Sequence, residues 1–292
     1  MSANIHSFQP HYTKGFTLVL LSACCYGLQP FFAYFAYAEG ADPIGLLLAR
    51  FSLAVILMLL LMKKQKALLP APMVFVRTLL VGIGYAGAAI GYYISSHSTS
   101  FSLAVILMFS FPALVTLFSI LFLKEQSSWR KILSLLLASS GVVLAAGTDF
   151  KGDLSGIAWA LFAAISYGAA ILYGTHTVSH QNPLTSATAV LMGCLIAVAV
   201  AAVFQGITWP HSVNGWLAIF GLAVFGTIFP IALFISGSPH IGASNAATLS
   251  TLEPIVAIVI AVLLIGEHFD QTMLMGGVMV MVAAVMLSRK SR

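Results

Sequence analysis

Ten apolar runs of about 20 residues dominate the sequence, and each is long enough to cross a lipid bilayer as an α-helix. Of all residues, 60% are hydrophobic and only 7% are charged, whereas a soluble domain carries about 25% charged residues. Membrane-spanning β-strands would alternate apolar and polar residues, but these runs are continuous. We therefore predict an all-α integral membrane protein with ten transmembrane helices, at roughly 15–37, 43–62, 73–94, 101–123, 130–147, 154–174, 184–205, 214–236, 243–265 and 272–288.

The basic residues are distributed unevenly between the loops on the two sides of the predicted bundle. Cytoplasmic loops of membrane proteins are enriched in Lys and Arg, so we predict an inner (cytoplasmic) membrane protein with both termini in the cytoplasm. The net charge of +5 reflects this bias, and we expect the lipid bilayer and no nucleic acid as a partner. The arrangement places 11 of the 13 basic residues on the cytoplasmic side: Lys14, Lys63, Lys64, Lys66, Arg77, Lys124, Arg130, Lys131, Arg289, Lys290 and Arg292.

An internal repeat with a spacing of 142 residues relates the two halves of the chain. Pro112 and Pro254 match, and each is followed thirteen residues later by a glutamate. The repeat divides the chain into residues 1–147, with helices 1–5, and residues 148–292, with helices 6–10. Because five is an odd number, the second half enters the membrane from the opposite side. Two inverted five-helix repeats of this kind are typical of secondary transporters.

Three stretches carry a resemblance to a known family: TLEPIVAIVIAVLLIGE (Thr251–Glu267), FPALVTLFSILFLKE (Phe111–Glu125) and ARFSLAVIL (Ala49–Leu57). They resemble the EamA-type proteins of the drug/metabolite transporter superfamily, and the likeness extends over essentially residues 15–288. The resemblance implies that each half is one EamA repeat and that ten helices surround a central cavity. It also implies export of amino acids, other metabolites or drugs, without a cofactor.

Glu253 is the first candidate for a functional side chain. It lies ten residues into predicted helix 9, about 15 Å along it and so near the middle of the bilayer. An ionisable residue at that depth typically faces the bundle interior and binds a substrate or an ion. We therefore consider Glu253 a candidate for substrate binding and for proton coupling. The alternative is structural, because Leu-Glu-Pro is common in the family that this chain resembles, and the carboxylate could hold a hydrogen bond near a bend at Pro254.

Arg50 is the other charged residue inside a predicted span. It lies seven residues from Pro43 at the start of helix 2, or about 10 Å along the helix. We expect a structural role for this charge, such as pairing with a helix terminus or with Glu253. Contact with an anionic substrate is the alternative.

Helix 3 has two distinct faces. Tyr85 and Tyr92 are seven residues apart on one face, and Gly84, Gly87 and Gly91 gather on the other. Small residues let transmembrane helices approach closely, so we expect the glycine face to pack against another helix and the tyrosine face to line a cavity.

The other cavity candidates are polar or aromatic residues at similar depth in helices 1, 4, 6 and 9. Tyr26 has a repeat mate in Tyr167, and two candidates directly precede Pro112. Packing and hydrogen bonding between helices are the alternative explanation for these side chains. The complete predicted cavity set is Tyr26, Gln29, Tyr85, Tyr92, Ser110, Phe111, Tyr167, Asn245, Thr248 and Glu253, with Arg50, Pro112 and Pro254 as structural residues.

These features predict a transporter and not an enzyme. The sequence has no HExxH or GxSxG motif, and we expect no metal and no cofactor. We predict a secondary transporter, a monomer or homodimer, that exports a small metabolite by alternating access. The small-molecule substrate would be an amino acid or a related zwitterion or cation, with protons as a coupling ion to be tested. A multidrug cation/proton antiporter is the alternative.

Overall fold

The computed structural model describes residues 9–122, 128–146, 153–178, 182–241, 249–250 and 252–288. Every regular element in these ranges is a helix, which confirms the predicted all-α fold for this part of the chain. The α-helices are α1 (Gln9–Gly27), α2 (Gln29–Ala38), α3 (Pro43–Gln65), α4 (Pro72–Ser98), α5 (Phe101–Met108), α6 (Phe111–Phe122), α7 (Trp129–Ala146), α8 (Leu154–Val178), α9 (Pro183–Gln205), α10 (Val213–Ala223), α11 (Phe229–Ile241), α12 (Glu253–Ile260) and α13 (Gln271–Ser288), with π-helical stretches at Val224–Ile228 and Ala261–Ile265.

Six helical stretches within the described ranges are long and apolar enough to cross a membrane. Three more apolar stretches are shorter, at Phe101–Leu117, Glu253–Ile265 and Gln271–Met286. The one remaining predicted window, 130–147, corresponds to α7, whose first turn contains two basic residues. A membrane protein with several apolar spans is therefore established, and the count of ten spans stays a prediction.

Four prolines begin new helical segments inside the predicted spans. Pro30, Pro112, Pro230 and Pro254 are each the second residue of a segment, in α2, α6, α11 and α12 respectively. Because proline has no amide hydrogen, it is tolerated in the first turn of a helix, where no internal hydrogen bond is lost. A turn, or a π-helical stretch before Pro230, separates each segment from the preceding helix. These spans are consequently broken partway along their length.

Pairs of glycines bring helices of the first half (residues 1–147) against helices of the second half (residues 148–292). At each pair, a Cβ built on one glycine would lie at most 3.0 Å from a backbone atom of the other. Close backbone approach of this kind is how helices associate in lipid, where no hydrophobic driving force acts between them. The pairs are Gly15 with Gly237 (α1 and α11), Gly82 with Gly193 (α4 and α9) and Gly141 with Gly276 (α7 and α13).

The glycine face of α4 packs on α8, as its spacing predicts. A Cβ on Gly84 would lie 2.9 Å from the Cβ of Ala170, and a Cβ on Gly91 would lie 3.0 Å from that of Ala163. The hydroxyl of Ser166 also donates a hydrogen bond of 2.8 Å to the carbonyl of Gly84. The opposite face of α4 is therefore left free to line an internal space.

Within the described residues, backbone hydrogen bonds join the two halves at one end of the bundle. We call this the joined end; it contains residues 39–42, 99–100, 206–212 and 266–270. The amide of Asp42 donates to the carbonyl of Thr208 (3.2 Å), and that of His211 donates to the carbonyl of Glu39 (2.8 Å). The other end, which contains residues 66–71 and the start of α9 at Pro183, is called the far end.

Replacing Gly193 by Val should destabilise the protein by about 1–3 kcal/mol, the usual cost of overpacking, because any Cβ at this position meets the carbonyl of Leu79 and the backbone of Gly82. The matched control is Ala169→Val, which adds methyl groups at an exposed position of α8. Thermal unfolding in detergent measures both variants. Equal melting temperatures for the two would contradict the close helix contact.

Candidate functional site

A cavity of about 710 Å³ lies between the two halves of the chain. Side chains from α1 to α5, from α8, α9, α11 and α12, and from the π-helical stretch Val224–Ile228 line it. Its lining extends towards the far end, where it includes Gly174, Pro183 and Phe234. Residues of the connections at the joined end are not part of the described lining.

Six of the ten residues that the sequence analysis placed in a cavity line this one. They come from α1, α2, α4, α8 and α12, and they are Tyr26, Gln29, Tyr85, Tyr92, Tyr167 and Glu253. Two further predicted residues, Asn245 and Thr248, lie outside the described residues. The described part of the cavity therefore combines helices of both halves at similar depth.

Ser110 and Phe111 lie behind the cavity wall and do not line it. The hydroxyl of Ser110 is buried and donates to the carbonyl of Leu107 at 2.7 Å, so it supplies a hydrogen bond to this carbonyl at the turn between α5 and α6. The ring of Phe111 packs edge-on against the ring of Tyr167, with centroids 4.7 Å apart. A turn at residues 109–110 separates α5 from α6 at this position.

Arg50 is buried beside the cavity and is held by three acceptors. Its Nε donates to the hydroxyl of Thr227 (2.7 Å), one terminal nitrogen donates to the Tyr93 hydroxyl (2.9 Å), and the other donates to the carbonyl of Gly226 (3.0 Å). The guanidinium also lies 5.3 Å from the ring centroid of Phe51 and 5.6 Å from that of Tyr93. These contacts fix a permanent positive charge at the cavity wall.

The π-helical stretch Val224–Ile228 supplies two of these acceptors. In a π-helix the carbonyls bond one residue further along the chain than in an α-helix, and the hydroxyl of Thr227 accordingly lies 3.4 Å from the carbonyl of Leu222, to which it donates. The α-helical donor to the Gly226 carbonyl would be the nitrogen of Pro230, which has no hydrogen, so this carbonyl is available to Arg50. Such bulges are frequent at functional sites.

Tyr93 is the hub of this polar cluster and was missed by the sequence analysis. Its hydroxyl accepts from Arg50 and donates to the side-chain oxygen of Gln29 at 2.9 Å. Helical periodicity assigned Tyr92 to the cavity face and separated it from its neighbour by about 100°. Both tyrosines line the cavity, because it extends around α4 far enough to contact two faces. The contact between Tyr93 and Gln29 gave no signal in the sequence.

Predicted spans 2 and 7 also contribute to the lining, which the sequence analysis did not expect. Phe51 comes from α3, and Ser186 and Cys194 come from α9. Neither helix has a polar stripe that would indicate a cavity face. The crossing of α4 and α9 at Gly82 helps to position the α9 residues.

Glu253 begins α12 and lines the cavity. A negative charge in the first turn of a helix is favoured by the helix dipole. The break between α1 and α2 lies directly against it: a Cβ on Gly27 would lie 3.1 Å from the Glu253 carbonyl oxygen and 2.5 Å from the side chain of Val256. The turn between α1 and α2 thus packs against the backbone of the first turn of α12.

Glu253 and Arg50 are two ionisable residues that line the same cavity. The described hydrogen bonds of the guanidinium go to Thr227, Tyr93 and Gly226. Arg50 thus bonds to a π-helical turn, whereas the sequence suggested pairing with a helix terminus or with Glu253.

Aromatic side chains form much of the remaining wall. The rings of Tyr85 and Tyr167 meet edge to face with centroids 5.4 Å apart, and those of Tyr92 and Tyr93 meet at 4.9 Å. Aromatic walls with a few placed polar groups are typical of small-molecule sites. Within the described residues, no three His, Cys, Asp or Glu side chains cluster as metal ligands.

Several bacterial transporters are similar to this chain in sequence. An uncharacterized transporter of Bacillus subtilis, YcbK, is 25% identical over 90% of this chain and 88% of its own length. A second from the same organism, YdfC, is 28% identical over 82% of this chain and 80% of its own. The threonine/homoserine exporter RhtA of Escherichia coli is 28% identical over 65% of this chain and 63% of its own length.

A solved crystal structure has the same overall fold. It matches 96% of this chain and 98% of its own chain with a TM-score of 0.60, at 15% sequence identity. At that identity the likeness shows the fold alone.

The family comparison accounts for both halves of the sequence. The model of the EamA-like transporter family matches twice, at residues 13–147 and 154–289, and the two matches lie on either side of the junction that the 142-residue repeat indicates. The resemblance seen in the sequence motifs is thereby confirmed. With two family repeats, apolar membrane-spanning helices and a cavity between the halves, the chain belongs to the EamA-like transporter family.

Proposed function

We propose that this protein is a secondary transporter that exports an amino acid or a related small zwitterion by alternating access. One observation supports this substrate class above all: Glu253 and Arg50, which have a carboxyl and a guanidinium group, line the same largely apolar cavity. A zwitterion carries the two complementary charges on adjacent groups. An apolar side chain of the substrate would rest against the tyrosines.

Arg50 is the proposed partner of the substrate carboxylate. A guanidinium has five N–H donors in a fork that matches a carboxylate. Three of them have partners among the described residues, which leaves two for a ligand. Because Thr227, Tyr93 and Gly226 hold the group in place, little side-chain freedom is lost when a substrate binds.

Glu253 is the proposed partner of the substrate ammonium or of a proton. A single carboxylate that binds one or the other in turn would couple export to proton entry. Inverted repeats support the transport mechanism, since the two halves can exchange conformations around a fixed central site. The size of the cavity, about 710 Å³, lies within the range of about 300–1,000 Å³ that small-molecule sites occupy.

The relatives support an exporter of this class, since one of them, RhtA, is a threonine/homoserine exporter. The alternative, a multidrug cation/proton antiporter, accounts for Glu253 and the aromatic wall but not for Arg50. A fixed positive charge at the site would repel a substrate that is only a cation.

The proposed setting is the inner membrane with ten spans, both termini in the cytoplasm and the repeats at residues 1–147 and 148–292. In this orientation the far end of the bundle faces the cytoplasm. The cavity, whose lining extends towards that end, would then receive substrate from inside the cell.

The role of Arg50 predicts a preference for amino acids over their amides, which lack the carboxylate. Flux into proteoliposomes should be measured for a panel of L-amino acids, each paired with its amide. Wild-type protein should transport the acid faster, and Arg50→Gln should bring the ratio close to one, while Arg50→Lys should retain part of it. The ratio is taken within each variant, so it is independent of the amount of folded protein. An unchanged ratio in Arg50→Gln would remove Arg50 from the site, and no flux of any pair would remove the substrate class.

The role of Glu253 predicts a separation between two modes of transport. Glu253→Gln should abolish flux driven by a pH gradient, because the neutral amide cannot exchange a proton, but should keep substrate counterflow. Both are measured in proteoliposomes with and without the gradient. An unchanged dependence on the gradient would show that the proton is carried elsewhere or not at all.

If Tyr85 and Tyr92 contact the substrate, cysteines at these positions should be protected from a thiol reagent by a transported amino acid. The background protein lacks Cys24, Cys25 and Cys194. Met73→Cys, at the exposed start of the same helix, is the control and should react at one rate throughout. Equal labelling of the cavity cysteines with and without substrate would exclude the tyrosines from the binding site.

A further inference from the structure

We propose that Glu267 is a gating residue, whose carboxylate binds the second half of the chain to α5 in the first half. These hydrogen bonds must break before the cavity can open at the joined end. The inference rests on the alternating-access mechanism proposed above. It concerns a residue outside the cavity, to which no substrate role is given.

The contact consists of three hydrogen bonds to one carboxylate. One carboxylate oxygen of Glu267 accepts from the backbone amide of Phe101 at 2.6 Å. The other accepts from the amide of Ser102 at 3.0 Å and from its hydroxyl at 2.7 Å. The partners are separated by more than 160 residues in sequence, and they belong to different repeats.

The carboxylate completes the hydrogen bonding of the first turn of α5. The first four amides of an α-helix have no partner inside the helix. Here the amide of Leu103 donates to the Ser100 hydroxyl (3.1 Å) and that of Ala104 to the Ser100 carbonyl (3.0 Å). The two remaining amides, of Phe101 and Ser102, donate to Glu267. A negative charge at this position is also favoured by the helix dipole.

The backbone before Glu267 directs it towards α5. The π-helical stretch Ala261–Ile265 ends at Gly266, which has a φ of +78° in the left-handed region. The amide of Glu267 then donates to the carbonyl of Ala261 at 3.0 Å. The chain therefore reverses at a glycine, and the next residue points across to the other half.

The contact is connected to the cavity through α5 itself. Residues Phe101–Leu107 of this short helix are buried, so it moves as a packed unit. Val105 and Met108, further along α5, line the cavity. Displacement of the first turn of α5 away from Glu267 would therefore move the cavity wall.

The position of the cavity agrees with a closed gate. Its lining extends to the far end, at Pro183 and Phe234, and does not include the connections of the joined end. The other described hydrogen bonds between the halves at the joined end run from backbone to backbone, at Asp42 and His211. Glu267 thus forms a charged side-chain contact between the halves at this end. Because Glu267 is only half-buried, water can replace its hydrogen-bond partners when the halves separate.

Cysteine accessibility at the two ends of the bundle tests the gate. In a protein without its three native cysteines, Ala36→Cys reports on the joined end, where Ala36 is fully buried in α2, and Ser186→Cys reports on the cavity lining near the far end. Each is combined with Glu267→Gln, whose uncharged amide cannot accept all three hydrogen bonds. The labelling rate with a small water-soluble thiol reagent is measured in proteoliposomes.

The matched control is Asp270→Asn in the same loop. Asp270 accepts hydrogen bonds from the amide of Met273 (2.8 Å) and the hydroxyl of Thr272 (2.7 Å), both at the start of its own helix, α13. Loss of its charge weakens a helix cap without affecting a contact between the halves.

Release of the gate should change the two reporters in opposite directions. Glu267→Gln should raise labelling at position 36 about tenfold, as expected for loss of a charge-assisted hydrogen bond, and lower it at position 186, because the far end closes when the joined end opens. Asp270→Asn should leave both rates unchanged. Increased labelling at both positions would indicate a loosened fold, and unchanged labelling would indicate an inert contact; either result overturns the proposal. Because the assay needs no substrate, its failure counts against the gate alone, whereas absence of amino-acid flux counts against the proposed function.

Discussion

In the core of a bilayer, a backbone amide or carbonyl must find its hydrogen-bond partner within the protein, because no water is present to provide one. Irregular turns in transmembrane helices leave backbone groups without a partner inside the helix. Polar side chains of this protein form hydrogen bonds with such groups. The hydroxyl of Ser22 donates to the carbonyl of Pro230 at 2.7 Å. Arg50 donates to the carbonyl of Gly226 in the π-helical stretch just before that proline. Much of the polarity inside the bundle is therefore explained by its irregular backbone.

The same contacts join the two halves of the chain. Ser22 and Pro230 are 208 residues apart, and Arg50 and Thr227 are 177 residues apart. The described hydrogen bonds between the halves also include those at the joined end and those that Ser166 and Cys194 donate to carbonyls of α4. Small residues such as Gly82 and apolar side chains form the rest of the interface and define its shape. The proposed alternating access would therefore have to rearrange a limited number of directional contacts.

Much of the cavity could be predicted from the sequence, because an ionisable residue or a polar stripe inside an apolar span has few places to go other than the interior. Glu253, Gln29 and the tyrosines at positions 26, 85, 92 and 167 all line it. Ser110 does not line the cavity, because its buried hydroxyl donates to the carbonyl of Leu107 at the turn before Pro112. Tyr93 was missed because periodicity describes one helix, and the cavity is shaped by the way several helices cross.

By itself the sequence determined that this chain is a helical membrane protein of two repeats, because uninterrupted apolar runs and their spacing are local properties that leave a lipid bilayer as the only suitable solvent. It also determined where the helices break, through the positions of the prolines. Only the tertiary structure decided that Arg50 is held by Thr227 and Tyr93 and that Glu267 reaches the first turn of α5. These contacts join residues far apart in the chain, and their geometry depends on helix crossing and on a π-helical turn, neither of which leaves a periodic signal in the sequence.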